Sequence, residues 1–308
     1  MPRPLTVIPI NMVNNRVVVR VPVADYELNM VLDTGATSTA LFQSADHGFE
    51  DLEKTGTAQI LFPALDTAVT GSRLAPIAIH FGKHAYKPKN LLLIHDRPQV
   101  GDRLNFKFDG VLGQDFFGQY VVEINPKSSV LRLHKKGTRL RRYFSTPIRL
   151  QLKNNAPHIR FDHKFPWERR RTTKELLLDT GFPGLMVIWN EYHFAMAAGK
   201  SKIEEYKAQN KGIFTRATFK IGRLSFIEAP IFIAANVPQQ LQRRDGLIGA
   251  NVLNQFHHVI DFGNRQLLLG GTRLQTGLID GHFYLPNNEP FIIKYFIENE
   301  AGSKFVIQ

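Results

Sequence analysis

The sequence predicts a mainly β protein: two homologous lobes of roughly six to seven strands each, related by a pseudo-twofold, with a central cleft between them. Three observations predict it. The length of 308 residues accommodates about two domains of roughly 150 residues. The chain repeats itself at a period near half its length. Short apolar runs alternate with Gly and Pro punctuation, as strands of barrels and sandwiches do.

The repeat is read landmark by landmark. Pro9-Ile10 followed by Asn14-Asn15 matches Pro147-Ile148 followed by Asn154-Asn155. Val31-Leu32-Asp33-Thr34-Gly35 matches Leu177-Leu178-Asp179-Thr180-Gly181. Asp109-Gly110-Val111-Leu112-Gly113 matches Asp245-Gly246-Leu247-Ile248-Gly249. Each copy then carries a strand with one acid, Val121 to Ile124 and Val259 to Phe262, and closes on an apolar strand, Val130 to Leu133 and Gln266 to Leu269. The second copy is shorter between its landmarks, and the stretch from Arg97 to Phe108 has no clear counterpart in it. The repeat divides the chain into an N-terminal lobe (1–134), a basic linker (135–146), a C-terminal lobe (147–275) and a tail (276–308) expected to add strands to an inter-lobe sheet.

Individual elements follow from local pattern. Val17 to Val23 reads as a strand with few breaks. Ala217 to Ile221 alternates, turns at Gly222-Arg223, and strand character resumes from Pro230 to Ala234. Asn190 to Ala198 is a helix candidate. Ser201 to Glu204 has capping-box spacing, predicting a second helix to about Gln209.

Composition narrows the function classes. The absence of cysteine excludes disulfides, thiolate metal sites and a cysteine nucleophile. No apolar run is long enough to span a membrane, and Met1 to Ile10 lacks the apolar core of a signal peptide. A cytoplasmic location is the default expectation, or a periplasmic or secreted one if the start is trimmed. The net charge of +12 concentrates at Lys135 to Arg142 and Arg169 to Arg171. These runs read as a solvated linker and a surface loop. They lack the interleaved aromatic platforms of a nucleic-acid groove, so no nucleic-acid partner is expected.

The chemistry lies in the repeated Asp-Thr-Gly. Each triplet ends an apolar run, where an isolated carboxylate is costly to bury. Threonine offers a hydroxyl that can bond backbone across a symmetric interface, and glycine lets the chain turn beneath the carboxylate. Two carboxylates sharing one proton supply a general base and a general acid together, because their mutual repulsion splits the two titrations. Such a pair titrates as a unit.

In both Asp-Thr-Gly segments and both apolar-apolar-Gly segments the chain resembles the aspartic peptidases of the retropepsin–pepsin clan. The lobes are individually similar to a retropepsin subunit and bacterial relatives, and the doubled arrangement is similar to that of pepsins. The resemblance implies that Asp33 and Asp179 are the catalytic pair. It implies that Thr34 and Thr180 cross-bond the two loops, and that Gly35, Gly181, Gly113 and Gly249 permit tight packing beneath them. It further implies an endopeptidase acting on an extended protein or peptide substrate, with both lobes on one chain so that a monomer suffices. The alternative is a catalytically silent peptide-binding module using the same cleft. A flap is expected near Gln59 to Ser72 with Phe62 or Leu65 at its tip, and in the second copy at a hairpin around Gly212-Ile213-Phe214. Ala36 and Phe182 depart from the pattern, since pepsin-like lobes usually carry a hydroxyl there. Its loss predicts a pH optimum nearer weakly acidic to neutral.

Other chemistries find no motif. No His-Glu-x-x-His pair, Walker loop or Gly-x-Ser-x-Gly elbow is present. His257-His258 in a strand would point to opposite faces, and His80 and His84 flank a turn at Gly82. No metal and no cofactor are expected. Glu123 and Asp261 are read as surface or turn residues at strand ends, and Asp109 and Asp245 as turn residues.

Overall fold

A computed structural model of the protein describes residues 1–44, 46–62, 67–95, 108–144, 146–199, 212–234, 245–270, 277–284 and 290–299. The helix expected from Ser201 to Gln209 and most of the unmatched stretch after Arg97 lie outside the described residues.

The first half contains β1 (Thr6–Pro9), β2 (Asn11–Val13), β3 (Arg16–Val23), β4 (Tyr26–Leu32), β5 (Ala40–Phe42), β6 (Lys54–Phe62) and β7 (Thr67–Leu74). It continues with β8 (Ile79–Phe81), β9 (His84–Tyr86), β10 (Leu92–Ile94), β11 (Gly110–Leu112), the short helix α1 (Gln114–Phe117), β12 (Tyr120–Asn125) and β13 (Val130–Lys135). The second half contains β14 (Thr146–Lys153), β15 (Ala156–Lys164), β16 (Thr172–Asp179), β17 (Met186–Ile188), α2 (Glu191–Ala198), β18 (Gly212–Ile221) and β19 (Leu224–Ala234). It closes with β20 (Gly246–Gly249), α3 (Ala250–Leu253), β21 (His258–Asp261), β22 (Gln266–Leu269), β23 (Gly277–Tyr284) and β24 (Pro290–Asn299).

The two halves share one wiring. In the first, β4 runs parallel to β11, β11 is antiparallel to β5, and β5 is parallel to β10, which pairs antiparallel with β7. In the second, β16, β20, β17, β19 and β18 follow with the same sequence of directions. The turns match as well. Asn14-Asn15 (φ 47° and 62°) and Asn154-Asn155 (φ 50° and 65°) both have two left-handed central residues, as a tight primed hairpin turn requires. The hairpins at Gly82 (φ 61°) and Gly222 (φ 60°) are a further matched pair, one that the aligned landmarks did not reveal.

The halves are stitched by strands in the order β1-β13-β12-β21-β22-β14, with β12 against β21 at the join. The two sides of this join also pack through Phe117 stacked on Phe262, centroids 5.7 Å apart. Behind the strands one continuous core includes Phe116, Phe161, Phe219 and Phe226, all fully buried. Each such ring contributes about 1.5–3 kcal/mol on burial.

Two expectations are corrected here. The tail strands lie at the far end of the continuous sheet that carries the inter-lobe strands and do not pair with those strands themselves. β24 pairs with the first half of β19 (Leu224↔Asn299 to Ile227↔Phe296), and β23 pairs with β24. A long strand such as β19 offers an open edge, and a β-hairpin satisfies it. Glu123 is not a surface residue but 1% exposed within the join. It accepts hydrogen bonds from His134 Nε2 (2.6 Å), His257 Nε2 (2.9 Å) and Arg132 (3.0 Å). Burial pushes Glu123 upward, but the bonds and charge of the two histidines outweigh it and hold its pKa down to about 2. Asp261 does serve a turn, accepting from the Asn264 backbone N–H at 2.9 Å.

Candidate active site

Asp33 and Asp179 stand where the parallel pairs β4–β11 and β16–β20 end, so the common wiring delivers them to equivalent positions. The next residues lock the two loops together. The Thr34 N–H donates to Thr180 Oγ1 (2.9 Å), and the Thr180 N–H donates to Thr34 Oγ1 (3.1 Å). Each hydroxyl passes its own proton onward, Thr34 Oγ1 to the Leu178 carbonyl (2.6 Å) and Thr180 Oγ1 to the Leu32 carbonyl (2.7 Å). Both threonines are buried, so these four bonds form without competing water.

The glycines bring the carboxyls face to face. A Cβ on Gly35 would collide with the Asp179 carboxyl, and one on Gly181 with that of Asp33. Gly113 and Gly249 lie against the backbone at Ser38 and Gly184, where a Cβ would also clash. Within each loop Oδ1 accepts two backbone N–H groups. Gly35 (2.8 Å) and Ala36 (3.1 Å) donate to Asp33, and Gly181 (3.0 Å) and Phe182 (3.2 Å) donate to Asp179. Ala36 and Phe182 bring no hydroxyl to the remaining oxygens.

Burial raises both carboxyls above the ordinary range. Asp179 is raised further by the charge of Asp33 and by its hydrogen bond to Asp33. Asp33 is eased downward by the two backbone N–H groups, by Asp179 and by the charge of Arg16. Both carboxyls therefore favour a proton, and two so close together titrate as one unit, with mutual repulsion separating the two protonation steps.

Arg16 was not anticipated. It opens β3, is 6% exposed, and its Nε donates to the Gly181 carbonyl at 2.7 Å. Burial holds its pKa down to about 10, against the pull of Asp33 and Asp179, so it remains a cation at neutral pH. The preceding Asn15 donates from Nδ2 to the Pro183 carbonyl (3.0 Å), while its own carbonyl accepts from Asn254 (2.6 Å). Gln114 Nε2 donates to the Thr34 carbonyl at 2.9 Å. The signal available in the sequence was a cation opening a largely apolar strand beside a matched Asn-Asn turn.

The residue matched to Arg16 is Ala156, which follows Asn154-Asn155. Too short to reach Gly35, it lines a cavity of about 600 Å³ with Gly35, Thr37, Lys153, Lys174 and Glu175. The two lobes therefore differ beside the carboxyls: a guanidinium fills the niche on one side, and open space remains on the other.

β6 and β7 form the hairpin expected as a flap, pairing from Lys54↔Leu74 to Phe62↔Thr67. Phe62 ends β6, and Leu65 lies outside the described residues. Phe214 is not at a hairpin tip. It lies within β18 opposite Phe232, and the β18–β19 turn comes at Gly222-Arg223.

Among solved structures, the crystal structure of an aspartic proteinase from Irpex lacteus is similar, with a TM-score of 0.51 and 15% identity over 87% of this chain and 97% of that chain. The fold is mainly β, bilobal and pepsin-like. At that identity the likeness speaks for the fold alone. No protein-family model and no curated protein matches the sequence. Among the described residues no helix is long and apolar enough to cross a membrane.

Proposed function

We propose that the protein is an aspartic endopeptidase in which Asp33 and Asp179 activate one water between them. The single observation that carries this reading is the pair of carboxyls held face to face by the reciprocal threonine bonds. In this reading Asp33, the ionised partner, takes a proton from the water as it attacks the scissile carbonyl. Asp179 donates its proton to the developing oxyanion. The tetrahedral intermediate collapses as the leaving amine is protonated, and the pair returns to its singly protonated state. An extended peptide would lie across the cleft under the β6–β7 hairpin, read by backbone bonds and apolar pockets.

Arg16 supplies a positive charge beside the ionised carboxylate, while the raised pair places the working range above that of a strongly acidic peptidase. Weakly acidic to neutral activity follows. The test is cleavage of a peptide library by the wild type, Asp33→Asn and Asp179→Asn, with folding checked by circular dichroism. Loss of cleavage in both variants supports the proposal; equal cleavage by all three ends it. Wild-type binding of extended peptides without cleavage at any pH from 3 to 8 would favour the silent peptide-binding module instead.

A further inference from the structure

We propose that His163, Glu168 and His193 form a binding site for one divalent transition-metal cation of the zinc class, acting as a structural staple within the C-terminal lobe. One ligand atom from each of the three lies within 4.8 Å of the others. They come from three separate elements. His163 is near the end of β15, Glu168 is in the turn leading to β16, and His193 is in the first turn of α2. The link from β15 to β16 is longer than its counterpart between β3 and β4, and Glu168 belongs to that extra length.

Each ligand is held in place by its own element. The Phe165 N–H donates to Glu168 Oε2 (2.8 Å), and the Glu168 N–H donates to the Phe165 carbonyl (3.0 Å). Those bonds leave Oε1 directed at His193 Nε2, 3.8 Å away. The His193 N–H is fixed by the N-cap Asn190 at 2.9 Å. Tetrahedral coordination with bonds of about 2.0–2.1 Å puts ligand atoms roughly 3.4 Å apart, so a modest contraction completes the site.

The independent pointer to a ligand is His163. It is fully buried, and among the described residues neither ring nitrogen has a hydrogen-bond partner. Its ring stacks on Phe161 (4.9 Å, 10°) and meets Phe165 edge-on (5.2 Å, 75°). A buried imidazole left unpaired is costly, and coordination would satisfy it. Two imidazoles and one carboxylate suit zinc and its neighbours; calcium and magnesium prefer all-oxygen sets.

The staple is remote from the carboxyl pair. His163 is seven residues along β15 from Ala156, which borders the cavity beside Gly35. That is about 23 Å of strand at roughly 3.3 Å per residue. No spaced-histidine motif marks the site, because its ligands are brought together only by the sheet and the helix.

Trp167 gives a built-in reporter. Its indole N–H donates to His193 Nδ1 at 3.3 Å. A cation on Nε2 leaves the proton on Nδ1, so Trp167 must release that bond when the site fills. The chain has only two tryptophans, Trp167 and Trp189.

The experiment uses the full chain, stripped with a chelator and then titrated with zinc chloride, or with cobalt chloride for its visible spectrum. The expected results are one cation per chain, a tryptophan fluorescence change that saturates with it, tetrahedral cobalt bands, and an unfolding midpoint raised by several degrees. Glu168→Gln alters a partly exposed turn residue and His163→Phe preserves ring volume in an aromatic site; each removes a direct ligand and should weaken binding by more than the roughly 10–100-fold that loss of an outer-shell partner costs. Asp33→Asn should bind as the wild type does, which separates this site from the proposed peptidase centre. Absence of stoichiometric binding at micromolar cation, or binding that survives both Glu168→Gln and His163→Phe, overturns the proposal.

Discussion

Replacing Thr34 with valine tests how the two lobes hold their carboxyls together. Valine nearly matches threonine in volume, so the cavity contribution is small and the loss is one of hydrogen bonding. The substitution removes the acceptor of the Thr180 N–H and the donor to the Leu178 carbonyl, in a site with no competing water. A buried group deprived of its partner costs about 1–3 kcal/mol, so two groups give roughly 2–6 kcal/mol. That is a large part of a typical stability of about 5–15 kcal/mol. Thr180→Val removes the equivalent pair, the acceptor of the Thr34 N–H and the donor to the Leu32 carbonyl. The two variants should therefore lose similar stability. The double variant should lose less than the sum, because loops freed by the first break can admit water to the remaining groups. Denaturant unfolding followed by tryptophan fluorescence measures all three, with an unchanged m-value confirming that stability alone has moved. A wild-type midpoint in either single variant, or strict additivity in the double, would refute the reciprocal arrangement.

Three further outcomes follow from the charges. Between the ordinary carboxylate pKa and its raised value, folded Asp179 keeps a proton that the unfolded chain has released, so rising pH costs stability. Asp179→Asn needs no such proton, and its melting temperature should exceed the wild type's by a margin that widens from pH 4 to pH 7; a constant margin counts against a raised carboxyl. Glu123 has the opposite sign: its folded pKa of about 2 against an ordinary 4.5 corresponds to about 3 kcal/mol, present above pH 4.5 and lost as pH falls through about 2. Glu123→Gln should accordingly destabilise the chain at pH 7 and approach wild-type stability near pH 2, as measured by thermal melts across that range. Arg16→Met deprives the Gly181 carbonyl of its donor and Asp33 of a cation, so it should cost about 1–3 kcal/mol and move the acid limb of any pH–rate profile upward; an unmoved limb would mean that Arg16 does not act on the pair.

The duplicated landmarks made the bilobal plan and the meeting of Asp33 with Asp179 readable before any coordinates. They did so because this wiring repeats one strand–turn unit, and strands that end in matched motifs end in matched places. What stayed hidden depended on partners distant in sequence. Glu123 looks like a strand-end acid until β12 meets β21 and brings His257 within 2.9 Å. Phe214 lies two residues after Gly212, which suggests a turn, yet the pairing of β18 with β19 extends through it. The tail's apolar alternation announces strands without naming their neighbour, which is β19 rather than a strand of the join. In each case local pattern fixes the type of element and not the edge it meets.

The repeat also explains why its exceptions matter. Where the copies agree, the residues answer a need common to both lobes: the threonines that cross-bond and the glycines that make room for a carboxyl. Where they disagree, the symmetric scaffold is given different surroundings on its two sides. Arg16 and Ala156 occupy equivalent positions after equivalent turns, yet one places a buried cation against the loop of Asp179 and the other leaves a cavity of about 600 Å³ beside Gly35. Gln114 and Ala250, each following a matched glycine, differ in the same sense, since only Gln114 offers an amide to the floor of the site. Two carboxyls in identical settings would have no reason to divide one proton unequally. These substitutions give them unlike settings, with the cation and the amide on one side and the cavity on the other.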